Sequence, residues 1–435
     1  MLAALLIALS MVAPAEVVDA SRLDAALPSD QNLSAMEAQM QQNPTNLDSY
    51  FSYSQMAMQL GEYDKAAAAM EHMLTVDPSL DRVRLDLSLA YTKMERYEDA
   101  RNLLQEVLKK DVPEQVKHNI QTVLKQLDEA TKLHTFTGSV STGLVHDSNG
   151  NSISSSGSVT VFDTSIPLSP AQQAKEDFQW FGTATVNHRY RPLKPIAEGV
   201  AMEWNSSGGV YQTEQQYLDE LNLKAISLKS GPTFAIDALK LRSTLTANYT
   251  QVLLDNHSYL KIYSADLDLD HVFPSGVHLL GGAAHEFREF INSPTVTTYV
   301  DRSGPAEEAR IGLGYAFTER TYGDVIVTLR HEDTKRGYYD NNQISPAASL
   351  IHQFDDQVFT QIQATFRESL YDEPDTFISS RKRRDLDKSF QILLGKNFEN
   401  NISLTASYQY RTVNSTIENY EYDNHRLMTS MGWRF

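Results

Sequence analysis

The chain has 435 residues, a formal net charge of −18 at neutral pH and no cysteine. The acid excess excludes a nucleic-acid partner, whose phosphates would repel it. The missing thiols exclude disulfides, a cysteine nucleophile, a cysteine-based metal site and a lipid anchor on an N-terminal cysteine, and no apolar run approaches the ~20 residues of a membrane helix.

The first segment, MLAALLIALSMVAPA, carries a short apolar core from Leu2 to Val12. Ala13-Pro14-Ala15 follows in a small-x-small pattern, and Val18-Asp19-Ala20 is a second such site. Residues 1–20 are therefore expected to be a secretory signal peptide, although the usual basic start is missing. The alternative is an N-terminal helix of the folded domain, but nothing downstream continues its period.

Next comes a helical repeat. YSQMAMQLGEYDKAAAAMEHMLTVDP (53–78) matches LSLAYTKMERYEDARNLLQEVLKKDV (87–112) at an offset of 34 residues. Tyr63 falls on Tyr97, Ala66 on Ala100, Met70 on Leu104 and Met73 on Val107, and prolines end the units. Small residues at 66 and 100 let paired helices approach closely, so Tyr63, Ala66, Met70, Tyr97, Ala100 and Leu104 are the expected core. The pattern resembles the tetratricopeptide repeat, with Gly61-x-Tyr63 at the turn; the second unit has Glu95 where the glycine is expected. Helices at 34–43 and 114–132 should flank the pair, giving a helical domain over 21–133. Arrays of this kind usually present a concave face to a peptide or protein. The first helices would offer Asp48, Phe51, Gln55, Met58 and Gln59, then Arg82, Leu85, Leu89, Thr92 and Lys93. For each of these residues, packing against a neighbouring helix is the alternative.

After His134 the period changes from helical to two. Phe178, Trp180, Ala184, Val186 and Tyr190 alternate with Gln179, Thr183, Thr185, Asn187 and Arg189, and Ala265, Leu267 and Leu269 alternate with Asp266, Asp268 and Asp270. The strands expected before 264–273 include 219–229 and 232–242, separated by the turn KSGP. About fourteen strands result over 134–435, each near the ~10 residues of a tilted membrane-spanning strand. Short turns alternate with long polar loops at 146–176, 212–218, 243–257, 291–305, 336–346, 372–386 and 412–422. The expected fold is multidomain α + β: helical repeats, then a transmembrane antiparallel β-barrel. A soluble β-sandwich is the alternative. The final strand, RLMTSMGWRF, runs to the last residue, so it should close against the first strand. Trp433 and Phe435 would then be the closure and insertion signal, read by the barrel assembly machinery.

Together these features resemble the surface lipoprotein assembly modifier family of Gram-negative outer membranes. Local matches are Asp147-Ser148-Asn149 after the first strand, and Asn414-Ser415 with Tyr420-x-Tyr422-Asp423 in the last hairpin. The resemblance implies a barrel in the outer membrane, a periplasmic helical domain, and transfer of a client lipoprotein or related secreted protein to the cell surface.

No catalytic set, metal site or cofactor motif is present: H-E-x-x-H, Gly-rich phosphate loops and G-x-S-x-G are all absent. The expected reading is not an enzyme. Histidines among strand aromatics read as rim or packing residues. Asp266, Asp268 and Asp270 could hold a cation, but a hydrated acidic lumen wall is the favoured reading. RKRR at 381–384 could meet lipopolysaccharide phosphates or be a solvated loop. Two other functions compete with translocation: a passive porin whose helical domain is a tether, and a polysaccharide exporter. Arg189, Arg330, Arg367 and Arg411 should face the lumen with Glu203, Asp266 and Asp268, which suits internal ion pairs as well as an open pore.

Overall fold

The computed structural model describes Leu33, Met36, Glu37, Met40 and residues 46–435 apart from Thr295. The signal peptide and most of the 34–43 helix lie outside the described residues. The chain divides into two compact units at Leu133/His134.

The first unit contains α1 (Leu47–Gln59), α2 (Tyr63–Val76), α3 (Asp81–Lys93), α4 (Tyr97–Leu108) and α5 (Glu114–Ala130). Asn46 caps α1, its side chain accepting from Asp48 N at 3.1 Å. Ala66, Met70 and Ala100 are fully buried and Leu104 nearly so, as the repeat required, while Tyr63 and Tyr97 are half-buried. Gly61 turns α1 into α2 at φ 77°, and Glu95 takes the same left-handed backbone at φ 58° between α3 and α4. The second unit thus keeps the turn without its glycine, at a cost of about 1 kcal/mol. Tyr91 OH donates to Glu71 at 2.6 Å beneath the Arg96 guanidinium, 4.0 Å from the ring. Burial, then the Glu71 carboxylate, push this phenol up to about 12.

The second unit is a closed antiparallel barrel of fourteen strands. In chain order they are β1 (His134–Asp147), then a small hairpin of β2 (Ser158–Val161) and β3 (Thr164–Pro167) outside the barrel, then β4 (Asp177–Tyr190), β5 (Val200–Gln215), β6 (Leu223–Ile236), β7 (Leu241–Leu254), β8 (His257–Val272), β9 (Val277–Phe290), β10 (Gly304–Thr318), β11 (Thr321–Glu332), β12 (Asn341–Gln353), β13 (Val358–Tyr371), β14 (Arg384–Asn397), β15 (Ile402–Ser415) and β16 (Tyr422–Arg434). Each strand pairs with its neighbour in sequence, and β16 closes on β1 with Ser139 opposite Arg434 and Asp147 opposite Arg426.

One stretch departs from the sequence expectation. KSGP is no turn: Gly231 and Pro232 lie inside β6, and the supposed loop 243–257 is mostly β7. The β6–β7 ladder passes from Ser230/Ala247 to Thr233/Thr244, skipping the proline that has no N–H to give. A Cβ on Gly231 would sit 1.9 Å from Leu245 O, so glycine serves close strand approach here. The real turns are 237–240 at one rim and Asp255-Asn256 at the other, both of the latter at positive φ.

Alternate side chains point outward, and the outward set is apolar: Phe136, Leu144, Val186, Ile311, Leu313, Val325, Leu394 and Met431 are all exposed. A closed barrel has no second sheet to cover such a surface. It is a membrane-facing band, and the sandwich alternative falls. Aromatic rings gather where the band meets the short-turn rim, in contacts such as His134–Tyr190, Phe136–His188, His271–Phe273, His352–Phe354 and Trp433–Phe435. Several of the scattered histidines are rim residues, as expected.

Candidate functional site: lumen, outer cap and repeat face

Inward positions sort by height. Near the short turns the wall is mostly hydroxyl and amide, with Ser139–Thr185, Thr233–Thr244 and Thr405–Ser430 contacts. Asp266 accepts from Asn248 and Ser264, Asp268 from Arg310 at 2.8 Å, and Asp270 faces His278 Nδ1 at 2.9 Å. Each carboxylate already has a protein partner. Among the described residues no group of three or more acids and histidines is arranged to hold a metal.

Towards the long loops the wall becomes charged on one side. Arg330 reaches Glu286 and Glu332 at 2.7 Å and Glu308 at 3.2 Å. Arg288, almost wholly buried, lies 2.8 Å from Glu332, close in distance but out of line for a hydrogen bond. Arg367 and Arg411 share Asp387. Of the arginines expected in the lumen, Arg330, Arg367 and Arg411 are thus locked in ion pairs. Glu203 lies 3.9 Å from both Arg191 and Arg242.

The opposite side of this outer half is apolar, which sequence reasoning missed. Val145, Phe181, Tyr211, Leu223, Val252, Leu260 and Phe290 all point inward and are buried in one cluster. The available signal was local: at the long-loop ends of β6, β8 and β9 the inward positions change from polar to Leu223, Leu260 and Phe290.

Above both sides the long loops interlock. Phe162 N and Asp163 N donate to Phe377 O and Ile378 O, and Thr160 exchanges two hydrogen bonds with Asn419. Glu418 accepts from Ser165, Thr160 and Ser158. The Ser165 hydroxyl first, then those of Thr160 and Ser158, hold its carboxyl below the usual range. Asp163 is held low in the same way by Ser379 and Ser380. The Arg383 guanidinium lies between the rings of Tyr420 (3.3 Å) and Tyr371 (4.4 Å), and Arg302 stacks on Tyr339 at 4.9 Å. Arg302 and Tyr420 also come within electrostatic reach of one another, although the six strands β10 to β15 separate their loops. The loops therefore form one cap over the outer mouth. RKRR contributes to it: Arg383 also pairs with Asp385, and Arg384 pairs with Glu368. Only Arg381 and Lys382 are left facing out for an anion.

The two motif segments meet at the seam. Ser148 N donates to His425 O, His425 N to Ser148 Oγ, and Asn149 Nδ2 to Asp423 O. At the other end, Gly138 and Phe435 exchange both backbone hydrogen bonds, and the Phe435 ring fills the space a Cβ on Gly138 would need. Trp433 lies one outward position away on the same face. Deleting Phe435 removes two ladder bonds and the ring from the shortest strand pairing in the barrel. The amount of heat-modifiable protein in the membrane fraction should fall several-fold; unchanged yield and migration would count against this role.

On the repeat unit, Asp48, Arg82, Leu89 and Lys93 are exposed, and Leu89 is 47% accessible. Gln55 Nε2 donates to Asp86 at 3.1 Å, with Arg82 3.5 Å from the same carboxylate. Phe51, Met58 and Leu85 are different: they pack against the helical core, because the helices turn these positions towards one another. Phe51 and Leu85 were expected outside that core. Asp86 joins the polar face unforeseen, although its i,i+4 spacing from Arg82 is visible in the sequence.

A tetratricopeptide-repeat family model matches residues 57–122. The outer membrane channel DcaP of Acinetobacter baumannii is similar over 69% of this chain and 97% of its own, at 7% identity and a TM-score of 0.39. OccAB4 of the same organism is similar over 70% and 99%, at 8% identity and a TM-score of 0.35. MamA is similar over 23% of this chain and 57% of its own, at 15% identity and a TM-score of 0.21. No curated protein matches the chain in sequence.

Proposed function

We propose that this chain is an outer-membrane translocator rather than an enzyme or a passive porin. The helical repeats, on the periplasmic side, receive a client lipoprotein or related secreted protein, and the barrel conducts it to the cell surface. The observation that carries this is the cap. A porin needs a permanently open mouth, whereas here the loops are tied to one another and an apolar cluster fills part of the lumen beneath them. A barrel shut at rest suits a conduit that opens for its cargo. The wall below the cap, mostly hydroxyl and amide with its acids partnered, suits a polar chain in transit, since it offers exchangeable hydrogen bonds and little apolar grip. The polar face of Asp48, Gln55, Arg82, Asp86 and Lys93 around exposed Leu89 is the proposed receiving surface. Lipopolysaccharide and the barrel assembly machinery are the proposed surroundings of the barrel.

Removal of residues 21–133 should leave a barrel with normal heat-modifiable migration. Surface exposure of a co-expressed client, read by antibody or protease on intact cells, should fall to background. Full exposure at matched barrel levels would end the receptor role of the repeats. Faster uptake of small sugars whenever the intact chain is present would favour the porin.

A further inference from the structure

The membrane-facing surface carries a groove across the seam. Strand register sets Leu394, Ala406, Thr429 and Leu144 side by side on β14, β15, β16 and β1. One row nearer the short-turn rim come Lys396, Leu404, Met431 and Thr142, with Val358 beside Lys396. Two small side chains between two leucines leave a trough of about 700 Å³, walled by Leu394, Leu404, Met431 and Leu144. All of these side chains belong to the outward set, so the trough is continuous with the apolar band and opens to hydrocarbon.

Its short-turn end is different. Lys396 is exposed and stands one residue before the end of β14, where the band meets the aromatic rim. Its ammonium lies 5.3 Å from the Phe398 ring. The Asp355 carboxylate, which accepts from the backbone N–H groups of Gln357 and Val358, is a protein charge within reach of this ammonium, so a lipid phosphate there competes with it. A cation at headgroup depth with an apolar trough running from it has the shape and charge of a phospholipid.

We propose that this groove binds one anionic phospholipid from the leaflet on the short-turn side, its phosphate on Lys396 and one acyl chain in the trough over Ala406 and Thr429. The bound chain spans β14, β15, β16 and β1, and so lies across the β1–β16 ladder, the shortest in the barrel. A lipid held only by the assembled seam favours the closed barrel by mass action.

The test is native mass spectrometry of the full chain released from nanodiscs of phosphatidylcholine containing phosphatidylglycerol as the minor lipid. The wild type should keep one phosphatidylglycerol in preference to phosphatidylcholine. Ala406→Trp, which fills the trough from a lipid-facing position, should lower that retention roughly tenfold, equivalent to ~1.4 kcal/mol. Lys396→Gln should keep a lipid but lose the headgroup preference. Heat-modifiable migration checks that each variant is folded. Equal retention of both lipids by the wild type, or undiminished retention by Ala406→Trp, would overturn the site. Unchanged preference in Lys396→Gln would overturn the anionic assignment.

Discussion

Replacing Arg302 and Arg383 together by alanine should turn a barrel that is mostly silent in a planar bilayer into one that conducts in long-lived steps. Arg383 holds the ring of Tyr420 from the last long loop and that of Tyr371 from the end of β13, and Arg302 holds a third. A desolvated cation–π contact is worth roughly 1–2 kcal/mol, so the pair removes about 3–6 kcal/mol from the closed cap. Each 1.4 kcal/mol shifts a two-state equilibrium about tenfold, so a cap open about once in a thousand would be open from roughly a tenth of the time to most of it. The change at Arg383 also unpairs buried Asp385 at the start of β14, so heat-modifiable migration must first show that the barrel wall is intact. The idea fails if wild-type protein already conducts steadily at the level of the double variant, which would mean that the loops do not occlude the mouth.

Arg330→Met should destabilise the barrel by about 3 kcal/mol, seen as a lower urea midpoint in detergent. The guanidinium serves three glutamates whose side chains are only 19%, 17% and 11% accessible. Its removal leaves a buried excess of negative charge, and breaking one partner of such a set costs more than the pair contributes net. Adding Glu332→Gln should recover part of the loss, since one uncompensated charge then disappears. Arg288 still needs that position, so the recovery should be incomplete. A single variant as stable as wild type would show that lumen water solvates these glutamates. Purely additive effects of the two changes would show that the two side chains act independently.

The repeat unit was legible because its determinants are local. The 34-residue offset and the alanines at 66 and 100 fix helix spacing and contact within a few turns of chain, and the structure keeps both. Left open there was the placing of Phe51 and Leu85, concave face or helix packing: a helix has a continuous surface, and only its neighbours decide which flank is covered. Glu95 shows the same limit at the backbone, since its left-handed conformation is imposed by the hairpin around it.

The barrel and its closure at Phe435 followed from the two-residue period, because lipid and lumen sort alternate side chains by polarity; the count of fourteen came out because splitting β6 offset taking β7 for a loop. KSGP misled because glycine and proline usually mark turns; in β6 they serve a close approach to Leu245 and a gap in the ladder. The cap was beyond the sequence altogether. Asp163 finds Ser379, and Ser154 finds Glu418, across more than two hundred residues. The apolar inward cluster draws on β1, on β4 to β9 and on β16. Periodicity reports what a strand faces on average, lipid or lumen. Only closure of the ring brings distant loops over one mouth, and only then does burial beneath them make inward Leu223, Leu260 and Phe290 favourable.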